Sequence, residues 1–89
     1  MSAKYRIEFN KKYLKDLEKI CLRDRKQIRE KVLELAFNPR PDGCKKLQGF
    51  NKTPLYRIRC GDYRIIYEIN DSVLLVLVIE VGHRREIYR

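Results

Sequence analysis

The stretch from Tyr56 to Ile69 constrains the fold most. Its residues alternate with the strand period of two on both sides of a Cys60-Gly61-Asp62 turn. In the first arm Tyr56, Ile58 and Cys60 share one face, and Arg57 and Arg59 share the other. In the second arm Tyr63, Ile65, Tyr67 and Ile69 form the apolar set, opposite Arg64, Ile66 and Glu68. A hairpin buries a continuous surface only if both apolar sets face the same side, and that register carries Arg64 to the face of Arg57 and Arg59. The pattern predicts a hairpin with one packed face and one on which three cations converge.

The rest of the chain supplies what such a hairpin needs for cover. Tyr5, Ile7 and Phe9 alternate with Lys4, Arg6 and Glu8, which predicts a first strand. Asn10 is a helix cap. Leu14, Leu17, Ile20 and Cys21 then recur at helical spacing, opposite Lys11, Lys12, Lys15 and Lys19. A break near Leu22 to Asp24, with Asp24 as cap, separates a second helix whose inner stripe is Ile28, Val32, Leu35 and Ala36. That helix stops near Phe37, because Asn38-Pro39-Arg40-Pro41-Asp42-Gly43 cannot continue it. Val73 to Val81 is almost wholly apolar, as expected of a central strand covered on both sides. The expectation is an α+β domain: N-terminal strand, helical hairpin, then three strands, in an antiparallel-type sheet of about four strands.

With 89 residues and 44% hydrophobic content the chain has material for one core, so residues 1–89 are expected to form a single domain. The net charge of +9 points to polyanions: nucleic acid, an acidic partner or an anionic membrane surface. No apolar stretch approaches the ~20 residues that span a bilayer. Met1-Ser2-Ala3-Lys4 lacks a secretory apolar region, so a cytoplasmic location without membrane partner is expected. Cys21, Cys44 and Cys60 are odd in number and lack CxxC spacing, which suits reduced packing thiols better than a disulfide framework or a zinc knuckle.

The segment Val81-Gly82-His83-Arg84-Arg85-Glu86-Ile87-Tyr88-Arg89 collects residue types that grip a phosphodiester and move protons around it. In RNA cleavage a 2′-hydroxyl attacks its own 3′-phosphate. A base takes the 2′ proton, cations stabilise the phosphorane, and an acid protonates the leaving 5′-oxygen. Because no acidic cluster or His pair has metal-ligand spacing, metal-free chemistry without a cofactor is expected.

Two patterns carry a family resemblance over nearly the whole chain. One is Leu47-Gln48-Gly49 followed by Tyr56-Arg57-Ile58-Arg59 and Gly61-Asp62-Tyr63-Arg64-Ile65-Ile66-Tyr67; the other is the terminal Gly82-His83-Arg84-Arg85-Glu86-Ile87-Tyr88. In these the chain resembles the RelE/ParE toxin superfamily, and more closely its RelE branch of ribosome-dependent mRNA endonucleases. The first pattern is shared with non-cleaving relatives, and the second favours the nuclease branch. The resemblance implies a toxin of a type II toxin-antitoxin system that cuts mRNA in the ribosomal A site. Its implied partners are the ribosome, mRNA and an acidic antitoxin, with operator DNA reached only through the antitoxin complex. It assigns Arg59 and Arg64 to the scissile phosphate, Arg84 to transition-state charge and the leaving group, and Tyr88 to the 2′-hydroxyl. His83 is the alternative acid or base, and Arg57, Lys46, Lys52 and Arg85 are assigned to RNA binding. A tyrosine base needs neighbouring cations, because its unperturbed pKa is ~10, whereas that of histidine is ~6.5.

The chain departs from the family pattern in two places. Arg57 and Arg59 stand where the best-studied branch has lysines, which restricts them to an electrostatic role. The sequence also ends one residue after Tyr88, without the C-terminal helix of many members. Plainer roles compete with these assignments. Arg57 and Arg59 suit a solvated strand face, Tyr56, Tyr63 and Tyr67 suit packing, and a lone His83 suits a turn. Two functional alternatives remain: a ParE-like toxin that binds DNA gyrase without chemistry, and an inactive homologue that binds its antitoxin and co-represses their operon.

Overall fold

The computed structural model describes residues 4–47 and 54–83. In chain order the elements are β1 (Arg6–Phe9), α1 (Lys11–Glu18), α2 (Leu22–Glu34), β2 (Lys45–Leu47), β3 (Leu55–Cys60), β4 (Tyr63–Asn70) and β5 (Leu75–His83). They build one α+β layer pair, with both helices on one face of a sheet ordered β1-β5-β4-β3-β2. β2 to β5 pair antiparallel in sequence, while β1 runs parallel to β5. The sheet therefore has five strands, one more than expected, and is mixed. β2 is a three-residue Lys-Lys-Leu edge, too short to show an alternation, and the direction of β1 follows from the two helices that intervene before the meander. Among the described residues no helix is long and apolar enough to cross a membrane.

Asn10 caps α1 as expected, its Oδ1 accepting the Lys12 N–H at 3.0 Å. The buried stripe of α1 is Tyr13, Leu17 and Ile20, whereas Leu14 is about half exposed and Cys21 is exposed. The ring of Phe9 stacks on Tyr13 with centroids 5.4 Å apart. The second helix starts at Leu22, two residues before the expected cap, and Asp24 occupies its first turn, where a negative charge complements the helix dipole. The stripe Ile28, Val32, Leu35 and Ala36 is buried as predicted.

The Pro-rich loop is anchored near its start, at Pro39 and Arg40. The buried Tyr67 hydroxyl donates to the Pro39 carbonyl at 2.7 Å. Arg40 donates through both terminal nitrogens to Asp71, at 3.3 and 2.9 Å, and its guanidinium lies 5.3 Å from the centre of the Tyr56 ring. The Tyr5 hydroxyl donates to the same Asp71 carboxylate at 2.6 Å. Residues at the start of β1, after α2 and in the β4–β5 turn are thus pinned together.

Val73 and Leu74, expected inside the last strand, belong instead to the β4–β5 turn and are exposed. Asn70 imposes that turn by accepting the Ser72 and Val73 N–H groups on its side chain. β5 then breaks its own alternation. Ile66 pairs with Glu80 and Tyr67 with Val78, which leaves Ile79 as the extra residue of a β-bulge. The bulge lets Val76, Val78 and Val81 all enter the core and turns Glu80 away from it.

Candidate active site at the basic hairpin

The β3–β4 hairpin closes in two residues, with Cys60 opposite Tyr63 and Gly61 at φ 60, a left-handed conformation open to glycine at little cost. This tight turn fixes the register beyond it. Arg59 pairs directly with Arg64, and Arg57 with Ile66, on the face away from the helices. The next strand adds Gly82 opposite Arg64. Arg59 is exposed, Arg64 is partly buried and Arg57 is buried. The three cations expected on one face are therefore grouped there, beside the buried Gly82 of β5.

β2 reaches back only to Lys45, which pairs with Arg57, so β3 from Ile58 to Cys60 extends beyond its neighbour. A depression of about 360 Å³ opens at this step. Lys31 of α2, Lys45, Arg57 and Arg59 line it, together with Asp42. An anionic strand laid over the basic face would meet this cationic step at its edge. Lys45, not Lys46, faces the site: Lys46 pairs with Tyr56 and so lies on the opposite side of the sheet. Neither Lys31 nor Lys45 is marked by any motif; only the strand register and the helix packing bring them to Arg57.

His83 also stands apart from the arginines. Strict alternation from Val76 would put it on the helix-free face, but the bulge reverses the phase. It pairs with Tyr63, whose ring it meets edge-on at 5.9 Å, and it borders cavities whose other walls come from α1 and α2. Burial pushes the Tyr63 hydroxyl up from its ordinary pKa, and burial likewise raises the Cys60 thiol, so both remain protonated at neutral pH. Lys52, Arg84, Arg85 and Tyr88 lie outside the described residues.

The family model of the ParE toxin of type II toxin-antitoxin systems matches residues 7–88. The mRNA interferase toxin RelE of Escherichia coli K12 is 31% identical over 86 residues, covering 94% of this chain and 90% of RelE. The chain belongs to the RelE/ParE toxin superfamily, in its RelE-like branch. Solved RelE structures share its fold. RelE in the archaeal RelE–RelB complex of Pyrococcus horikoshii OT3 superposes with a TM-score of 0.81 at 28% identity, covering 93% of this chain and 98% of that one. The toxin-antitoxin complex RelBE2 of Mycobacterium tuberculosis gives 0.79 at 27% identity, with 91% and 99% covered. As a RelE-like protein the chain is a toxin of the type II toxin-antitoxin class.

Proposed function

We propose that this RelE-like toxin is a ribosome-dependent endoribonuclease that cleaves mRNA in the A site and so stops translation. The observation that carries the proposal is the Arg59–Arg64 cross-strand pair, with Arg57 beside it and Gly82 next to Arg64. Two guanidiniums on adjacent strands can each donate two hydrogen bonds to one phosphate, and their charge is best used when the phosphorane gains negative charge. Arg84 follows Gly82 by two residues and is assigned to transition-state charge and the leaving group.

In the proposed reaction Tyr88 takes the 2′ proton, the 2′-oxygen bonds to phosphorus, and the P–O5′ bond breaks as the 5′-oxygen, its developing charge held by Arg84, takes a proton from water. The products are a 2′,3′-cyclic phosphate and a 5′-hydroxyl. Tyr88 is preferred to His83 as base because His83 shares the helix-side face with Tyr63, across the sheet from the arginine pair. No metal takes part in this scheme; the reacting phosphate is served by side chains of the toxin alone. Ribosome dependence follows if the ribosome holds the 2′-oxygen in line for attack, a contribution the open hairpin does not itself provide.

Relatives solved as RelE–RelB complexes support an antitoxin partner. An acidic antitoxin suits a chain of net charge +9. Operator DNA would then be bound through the pair. The matched ParE family model favours one second reading, a ParE-like toxin that inhibits DNA gyrase by binding.

The test is to incubate the purified chain with ribosomes programmed with a defined mRNA, with free mRNA alongside, and to map new ends and their cyclic phosphates. Cleavage only on the ribosome, lost in Arg84→Ala and Tyr88→Phe, supports the proposal. Intact mRNA beside growth arrest that survives both substitutions favours a binding toxin.

A further inference from the structure

The sheet-facing side of α1 carries one partly buried carboxylate. Asp16 lies between Tyr13 and Leu17 on the sheet-facing side, its side chain only 15% exposed. Its Oδ2 accepts the Val81 N–H at 3.2 Å. Val81 is the first residue after the bulged pair Ile79-Glu80, so the backbone leaving the bulge is held by a helix side chain and not by the strand ladder alone. A bulge strengthens local twist and re-aims the strand that follows it. Here that strand carries Gly82 opposite Arg64 and continues in sequence to Arg84.

We propose that Asp16 is a positioning residue for cleavage: by accepting the Val81 N–H it locks the β5 bulge and the aim of the strand end that presents Gly82 to Arg64. The catalytic part of this proposal rests on the endoribonuclease reading above. Lys12 touches both Asp16 oxygens, at 3.2 and 3.1 Å, which offers a rival role as a helix-surface ion pair. The rival predicts little, because Lys12 is exposed and such i,i+4 pairs contribute weakly. Beside Asp16 a cavity of about 210 Å³, bordered by Lys19, Tyr63 and His83, gives water a route to the Val81 N–H once the carboxylate is removed.

The two roles separate by substitution. Asp16→Asn keeps an oxygen acceptor and loses the charge, Asp16→Ala loses both, and Lys12→Met removes only the ion pair. The experiment combines single-turnover cleavage on programmed ribosomes with amide hydrogen exchange at Val81 and Gly82 by NMR. Asp16→Ala is expected to exchange Val81 faster and to slow cleavage about tenfold or more, the scale of a small misplacement. Asp16→Asn and Lys12→Met are expected to stay within about twofold of the parent chain in both readouts. Unchanged Val81 protection in a folded Asp16→Ala chain, or its cleavage at the parental rate, overturns the proposal. If Asp16→Ala does not fold, Asp16→Asn decides, since a loss of cleavage or Val81 protection there makes the charge, not the acceptor, responsible. A parent chain that never cleaves removes the endoribonuclease reading and with it the catalytic role, while the exchange data still decide whether Asp16 holds the bulge.

Discussion

Arg59 and Arg64 are direct partners across the β3–β4 hairpin, two cations at one rung of the ladder. Like charges at that spacing oppose strand pairing, so the arrangement favours binding over stability. Arg59→Thr is expected to leave stability unchanged or raise it by up to about 0.5 kcal/mol. Under the proposed endoribonuclease function, the same change should slow cleavage on the ribosome by about tenfold or more. Urea unfolding and end-mapping on one preparation check both halves.

Tyr67 is fully buried, and its hydroxyl is the donor to the Pro39 carbonyl. Tyr67→Phe keeps the ring and strands that acceptor, at a cost of about 1–2 kcal/mol. For a domain of this size that corresponds to a Tm lower by roughly 4–16 °C. A thermal melt within 2 °C of the parent, if seen, would assign the loop anchor to the Arg40–Asp71 contact instead.

Leu74 adopts φ 52, and its carbonyl accepts the Arg6 N–H at 2.8 Å, so the left-handed turn is what docks β1 onto β5. A leucine there carries strain of about 1 kcal/mol that glycine lacks. Because Leu74 is exposed, Leu74→Gly should stabilise the chain by up to about 0.5 kcal/mol, the relieved strain less glycine's greater unfolded-state entropy. Denaturant midpoints that move downward would contradict this.

Hydrogen bonds from Arg40, and then from Tyr5, hold the Asp71 carboxyl below the usual carboxylate range. A depressed folded-state pKa means the contact contributes stability above the unfolded pKa and loses it as the pH falls through the folded one. Parent stability should therefore fall between about pH 5 and pH 2 by more than that of Arg40→Gln, in which Asp71 has lost its main partner. Thermal melts across that window make the comparison, and parallel curves would count against the coupling.

Cys21 is exposed, whereas burial pushes the Cys60 thiol up and so lowers its thiolate fraction. Iodoacetamide at neutral pH should label Cys21 first and Cys60 slowly, as peptide mapping would show. Faster labelling of Cys60 would mean that the hairpin end opens more readily than its packing implies.

The alternation from Tyr56 to Ile69 determined the hairpin, its packed face and the grouping of Arg57, Arg59 and Arg64, because a period-two pattern on both sides of a short turn leaves one register that puts both apolar sets on the same side. The same local logic determined the Asn10 cap and the inner stripe of α2. What the tertiary structure decided lies where separate elements meet. Tyr13 rather than Leu14 enters the core, and β1 lies parallel to β5. Strand register put Lys45 rather than Lys46 beside Arg57. The bulge at Ile79 moved His83 to the helix side, which no periodicity in a nearly unbroken apolar run could reveal. Its anchor, Asp16, is 65 residues from Val81 in sequence, a distance over which only folding joins a carboxylate to an N–H group.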